Sequence, residues 1–235
     1  MKAGILGVPD HNFGPIESYS ETTVVDAERD LTACLEVRST KDTGEFVHQT
    51  GRAAIQELSS DERVSIKTDE NSISVSEDID VVKTKYTEFV LVPSEFVAVS
   101  SSSGKFAFNL ISSQTDTATI SPAEIDLNRF IESYAGESRS ESASSWQVGF
   151  YGNSGSAEKG VVYGDSVYSD SELGGIIERL PKSQIGLDIE GEENIRMTAT
   201  ESGYVDIYGP SNYDSEEFVQ FILDHVLSHT SEKVE

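Results

Sequence analysis

His225 and His229 stand four residues apart near the C-terminal end of the sequence, with Asp224 beside the first. On a helix this i, i+4 spacing puts both imidazoles on one face, where they could share one metal ion. Helped by carboxylates, such a pair is the starting point for a metal-dependent hydrolase. Two ligands do not complete a site, because zinc normally takes three or four from the protein, and His11 and His48 are distant in sequence. Histidines at a helix C-terminus also have a purely structural use, complementing the dipole and satisfying the last carbonyls. His225 and His229 are therefore the metal candidates, and no cofactor is implied.

Other reactive residue types lack the partners their chemistry needs. Cys34, the single cysteine, alternates on its strand with residues of mixed charge and forms no motif with a base, which a nucleophilic thiolate requires. Ser154 lies in Gly152-Asn153-Ser154-Gly155-Ser156, but a nucleophile elbow wants glycine where Ser156 stands and a strand-to-helix setting. Ser103-Gly104-Lys105 lacks the remaining residues of a phosphate-binding loop, and Gly149, Gly152 and Gly155 miss the dinucleotide spacing. Carboxylates such as Asp78 with Asp80, or Asp188 with Glu190, Glu192 and Glu193, suit hard cations, yet the calcium-loop pattern is absent.

Charge explains why such clusters recur. The chain holds 42 acidic residues against 17 basic ones, for a net charge of −25 over 235 residues. The acids are spread along the length, unlike a disordered tail, and 37% hydrophobic residues suffice for a core. Repulsion on that scale is relieved in molar salt, where the Debye length falls to about 3 Å. With few lysines and many serines and threonines, the composition resembles that of proteins from haloarchaea and predicts a high-salt cytoplasm. No apolar run has signal-peptide or membrane-spanning length, so no membrane is expected, and one cysteine fits a reducing interior. The lack of a basic stripe would normally remove nucleic acid as a partner. In molar salt, however, counterion release contributes little, and acidity alone does not decide.

The elements that must position these residues follow from periodicity. Alternation over residues 31–37, a turn ending at Gly44 and a return over 45–49 predict a hairpin. A short helix is expected over 51–58, then strands over 64–68, 73–76, 86–92, 95–99 and 105–112, the last two as a hairpin with Phe106, Phe108 and Leu110 inward. Ser121-Pro122-Ala123-Glu124 reads as a helix start, followed by the apolar stripe Leu127, Phe130, Ile131, Tyr134. Strands over 146–151 and 160–163, a glycine-weakened helix over 170–180 and strands over 184–190, 194–200 and 204–208 come next. Asp214 and Glu217 open a closing amphipathic helix with Val219, Ile222, Leu223 and Val226 on one stripe.

The expected class is α+β, with two antiparallel-sheet-rich parts and a few amphipathic helices. An N-terminal domain would span residues 1–135, a Ser/Glu-rich linker 136–145 and a C-terminal domain 146–235. Residues 54–75 and 176–197 share the order helix, strand, acidic turn, strand, which suggests an internal duplication, although helix followed by hairpin is also a common arrangement. The order over 170–208, echoed over 51–92, resembles the repeating unit of DNA sliding clamps; no clamp sequence motif is matched, and the final helix departs from that family. Without a linked nucleophile, base and metal set, the primary expectation is a non-catalytic module that binds a protein partner or organises an assembly. The metal-dependent hydrolase and the clamp-like factor are the alternatives. An apolar face exposed beside Trp146 or on the last helix would favour partner binding.

Overall fold

A computed structural model describes residues 1–25, 29–69, 71–134, 142–154, 157–170, 172, 174–177, 179–191 and 194–232. Its strands are β1 (Ala3–Pro9), β2 (Tyr19–Val24), β3 (Asp30–Asp42), β4 (Val47–Lys67), β5 (Ser72–Val92) and β6 (Phe96–Val99), followed by helix α1 (Phe106–Ser112), β7 (Ile120–Ile125) and α2 (Leu127–Glu132). The chain continues with β8 (Ser142–Ser154), β9 (Ala157–Tyr163), α3 (Gly174–Ile177), β10 (Lys182–Glu190), β11 (Ile195–Thr200), β12 (Tyr204–Gly209), α4 (Ser215–Phe221) and β13 (Thr230–Glu232). This is a sheet-rich α+β protein. Among the described residues thirteen strands form one antiparallel sheet, eleven of them in the order β2-β3-β4-β5-β6-β1-β12-β11-β10-β8-β9, with β7 joined through β1 and β13 paired to β7.

β1 is the seam of that sheet. It pairs with β6, while its other edge is shared between β12, at Ala3 to Ile5, and β7, at Gly7 to Pro9. Where β12 and β7 diverge, Leu6 N–H donates to Gly203 O and Ile125 N–H to Glu201 O. Gly203 sits at φ +84°, and a Cβ there would lie 2.5 Å from the Ala123 carbonyl oxygen, so the junction requires glycine.

Each face of the sheet is covered by different helices. On one face, called here the α1 face, Leu35, Ala53, Phe89, Val97, Val99 and Ile5 pack against Ala107, Phe108 and Ile111 of α1. Gln49, buried beside this layer, ties down the 10–18 segment: its amide oxygen accepts from Ile16 N–H at 2.8 Å and its nitrogen donates to Ile16 O at 3.0 Å. On the α4 face, Leu6, Val90, Phe96, Ile185, Leu187, Met197 and Ile207 meet Phe130 of α2 and Phe218, Val219 and Ile222 of the C-terminal helix. That apolar cluster draws on residues from both sides of the 136–145 stretch. Residues 135–141 lie outside the described ones, and 142–145 already belong to β8.

Several expected elements take another form. The 51–58 segment is strand, because β4 pairs with β3 on one edge and β5 on the other, and ladders on both sides override a weak helical preference. Residues 54–75 are therefore two paired strands where 176–197 begin with a helical turn, and the shared order behind the suggested duplication is not present in that form. The 105–112 segment is the helix α1: its alternating Phe106, Phe108 and Leu110 imitate a strand, but the buried set Ala107, Phe108 and Ile111 has helical spacing. Ser121-Pro122 lies in β7 rather than at a helix start. The cap is Asp126, which accepts from the N–H groups of Asn128 and Arg129, and the stripe Leu127, Phe130, Ile131 and Tyr134 is buried behind it.

Of the expected 170–180 helix the described residues show the turn α3, with two glycines in its short span, while residues 171, 173 and 178 lie outside the described ones. The last helix opens at the expected Asp214, whose carboxylate accepts from Glu216 and Glu217 N–H while Glu217 reaches back to Asp214 N–H. It then widens into a π-helical turn over Ile222–Val226 and tightens into a 3₁₀ turn over Leu227–His229.

Candidate interaction surface

The two histidines singled out by spacing are set among aromatic rings. His225 stacks on Phe221 with ring centres 4.9 Å apart, and its Nδ1 lies 3.0 Å from the Tyr134 hydroxyl. His229 meets Phe130 edge-on at 5.6 Å. Among the described residues no group of three or more His, Cys, Asp or Glu side chains could hold a metal ion. His11 pairs with its neighbour Asp10 at the surface, and His48 is buried beside Phe46. Burial holds the His48 imidazole below its ordinary pKa, against the pull of Glu216. Cys34 is exposed between Ser20 and Ala54 across the ladder, with no base opposite it. Gly155 and Ser156 of the serine motif fall outside the described residues.

A different constellation forms where the α1 face continues past β1. No described helix covers it over β12, β11, β10 and β8, and the residues that alternate with the core point outward there. Trp146 is the extra residue of a bulge in β8, between the pairs Gln147 with Gly186 and Ser145 with Leu187. Its indole lies flat on Gly186, where a Cβ would approach the ring to 2.5 Å, so glycine makes the seat. Arg196 of β11 places its guanidinium 4.5 Å from the Trp146 ring centre and also contacts Asp188 Oδ2 at 3.2 Å. Tyr208 of β12 meets the same indole edge-on at 6.3 Å, and its hydroxyl lies 3.3 Å from Thr198 Oγ1.

Further along the same face, Tyr204 donates to Asp206 at 3.3 Å. Burial and then the Asp206 charge push the Tyr204 phenol up to about 12. Tyr151 donates to Glu201 at 2.7 Å, which raises its pKa as well. Trp146 Nε1 is buried and has no hydrogen-bond partner. The surface is thus a rigid aromatic platform with one cation, ringed by carboxylates. It offers flat area and directional polar groups, and among the described residues it assembles no linked nucleophile, base and metal set.

Sequence reasoning placed Trp146 at the start of a strand and missed the residues around it. The signal was available: Ile195, Met197 and Ala199 alternate with Arg196, Thr198 and Thr200, and Val205 and Ile207 with Tyr204, Asp206 and Tyr208. Period two assigns the second members of both sets to one face. The order of strands across the sheet, which brings β8 and its tryptophan beside them, has no such local mark. No known protein family matches the chain, and neither does any curated protein sequence.

Proposed function

We propose that this protein is a non-catalytic binding or assembly module of a high-salt cytoplasm, and that a protein partner docks on the uncovered face around Trp146. The observation that carries this reading is the set Trp146, Arg196 and Tyr208, held together by a cation–π contact and an edge-on ring contact, with Arg196 anchored to Asp188 by an ion pair. Trp, Tyr and Arg dominate the energetics of protein interfaces because they combine large rigid area with polar ends. Asp188 and Asp206 beside them disfavour a phosphate backbone, which weighs against a single-stranded nucleic acid stacking on the same rings. Trp146 is the only tryptophan, so its fluorescence reports this surface directly. The test is capture from extract of a high-salt host at native KCl, with wild type and Trp146→Ser as baits. A partner held by the first and lost by the second, and whose addition shifts Trp146 emission, supports the reading. Equal capture by both baits, or no change in emission, sinks it.

The clamp-like reading is second. It is favoured by one feature: α3, β10, β11 and β12 follow each other as a helical turn and three consecutive antiparallel strands. A clamp encircles its substrate, so single-particle images in molar KCl that contain no ring would dispose of it.

A further inference from the structure

Beyond Ile55, β4 has no described strand on its outer edge, and β5 gains β6 only from Phe89 onward. From Leu58 paired with Val82 to Lys67 paired with Ser72, the two strands pair only with each other. At roughly 3.3 Å per residue this ribbon projects about 30 Å from the sheet. Beyond a bulge near Asp61, Val64 stands opposite Val75 and Ile66 opposite Ile73. Alternation puts all four side chains on one face, and they are 57–76% exposed. The other face is polar, with Ser65 and Ser74 hydroxyls 2.6 Å apart.

An isolated two-stranded ribbon is marginal in water, and one with a bare aliphatic face gains stability only when that face is covered. Three observations indicate what covers it. The tip, residues 63–76, sets Arg63 and Lys67 against Asp69 and Glu70 and is neutral, while Asp61, Glu62, Glu77, Asp78 and Asp80 lie toward the base of the arm in a chain of net charge −25. In molar salt only charges within about 3 Å of one another still repel, and where two tips touch those charges are balanced. The patch is also a square of four β-branched aliphatic side chains with no polar group that a partner must match, and such a surface is complementary to itself, as a two-fold contact demands. Finally, two arms laid face to face bury on the order of 1,000 Å², the low end of specific interfaces, which fits a reversible self-association better than a permanent complex.

We infer that the arm is a homodimerisation element: the Val64, Ile66, Ile73, Val75 face of one copy packs on the same face of a second copy about a two-fold axis. This surface lies on a different part of the sheet from Trp146 and stands independently of the docking proposed there. The experiment is sedimentation velocity in ~2 M KCl, where screening is nearly complete, over micromolar concentrations. Wild type, Ile66→Thr/Ile73→Thr and Ser65→Lys are compared. Threonine keeps the β-branched shape and strand preference, so the arm is retained while its apolar face is lost. The expected result is a concentration-dependent dimer for wild type and Ser65→Lys, weakened at least tenfold by the double threonine substitution. A second variant replaces residues 59–81 by Asn-Gly, a two-residue hairpin turn, and should be monomeric. Trp146→Ser should dimerise like wild type. A monomeric wild type at all concentrations overturns the inference, as does a dimer that survives both arm variants. A monomer that floats with phosphatidylglycerol vesicles through Ile66 and Ile73 would overturn it in favour of a lipid partner.

Discussion

The distal arm of β4 and β5 and the uncovered face of β8 to β12 are both bare sheet, yet they differ in every property that governs recognition. The arm has two strands, an aliphatic patch and a tip of balanced charge; the other surface rests on a multistranded sheet whose reverse side is core, and its groups are braced by one another. Aliphatic contact rewards burial without direction, so it suits an identical surface. A fixed tryptophan, guanidinium and phenol impose orientation, so they suit a partner of distinct shape and polarity. Mechanical support differs too. Losing contacts on the arm leaves the core untouched, whereas the seat of Trp146 is Gly186 in β10, directly behind residues of the main cluster.

The sharpest way to break the contrast is to damage a covered face instead. Phe108→Ala removes a ring buried against Gly7 and should cost about 3–5 kcal/mol of unfolding free energy, or roughly 10 °C in Tm by calorimetry in molar KCl. Gly186→Val should come next, at about 1–3 kcal/mol, because its side chain must displace the indole; Trp146 emission should shift with it, while the arm-mediated association stays unchanged. Asp214→Ala removes the carboxylate that accepts from Glu216 and Glu217 N–H, leaves its backbone N–H to Glu217, and should cost about 1 kcal/mol. Hydrogen bonds from Glu217 and Glu216 N–H hold the Asp214 carboxyl below its usual pKa, so its contribution is complete above the ordinary carboxylate range and fades as pH falls through its lowered pKa.

A pH titration separates a third site from both surfaces. His48 is kept neutral by burial, so the unfolded chain takes up its proton first, and stability should decline as pH drops below about 6.5. His48→Gln should flatten that part of the chemical-denaturation profile. The smallest effect belongs to the arm: Ile66→Thr at its exposed position should change monomer stability by no more than about 0.5 kcal/mol, and a larger loss would mean the arm is coupled to the core.

The sequence carried the strands that alternate cleanly and the helix ends with proper caps. β3 with its turn at Gly44, the strands β10 to β12 and the Asp214 capping box were all legible because their signals are local. The 51–58 segment was not, since its conformation is set by β3 and β5 pairing from both sides. Phe106, Phe108 and Leu110 misled because a seven-residue helix can show strand-like alternation by chance. Of the surfaces, the exposed faces of β11 and β12 follow from alternation, while the arrival of Trp146 beside Arg196 depends on a β-bulge and on β8 inserting between β10 and β9. The length of the arm was hidden for a related reason. Val64, Ile66, Ile73 and Val75 read as short strands bound for a core, and only the early end of the β3 pairing reveals that they have none to join.

The position of β1 has a consequence for how the molecule is made. Ala3 finds its partner at Asp206, some two hundred residues later in synthesis, so the ladder between β1 and β12 closes only after all the strands between them have been made. Contacts of such separation place folding in the slow regime and leave the Ala3–Ile5 edge of β1 open in the meantime. Until the seam is sewn, that stretch of unpaired backbone is what a half-built sheet presents to other nascent strands.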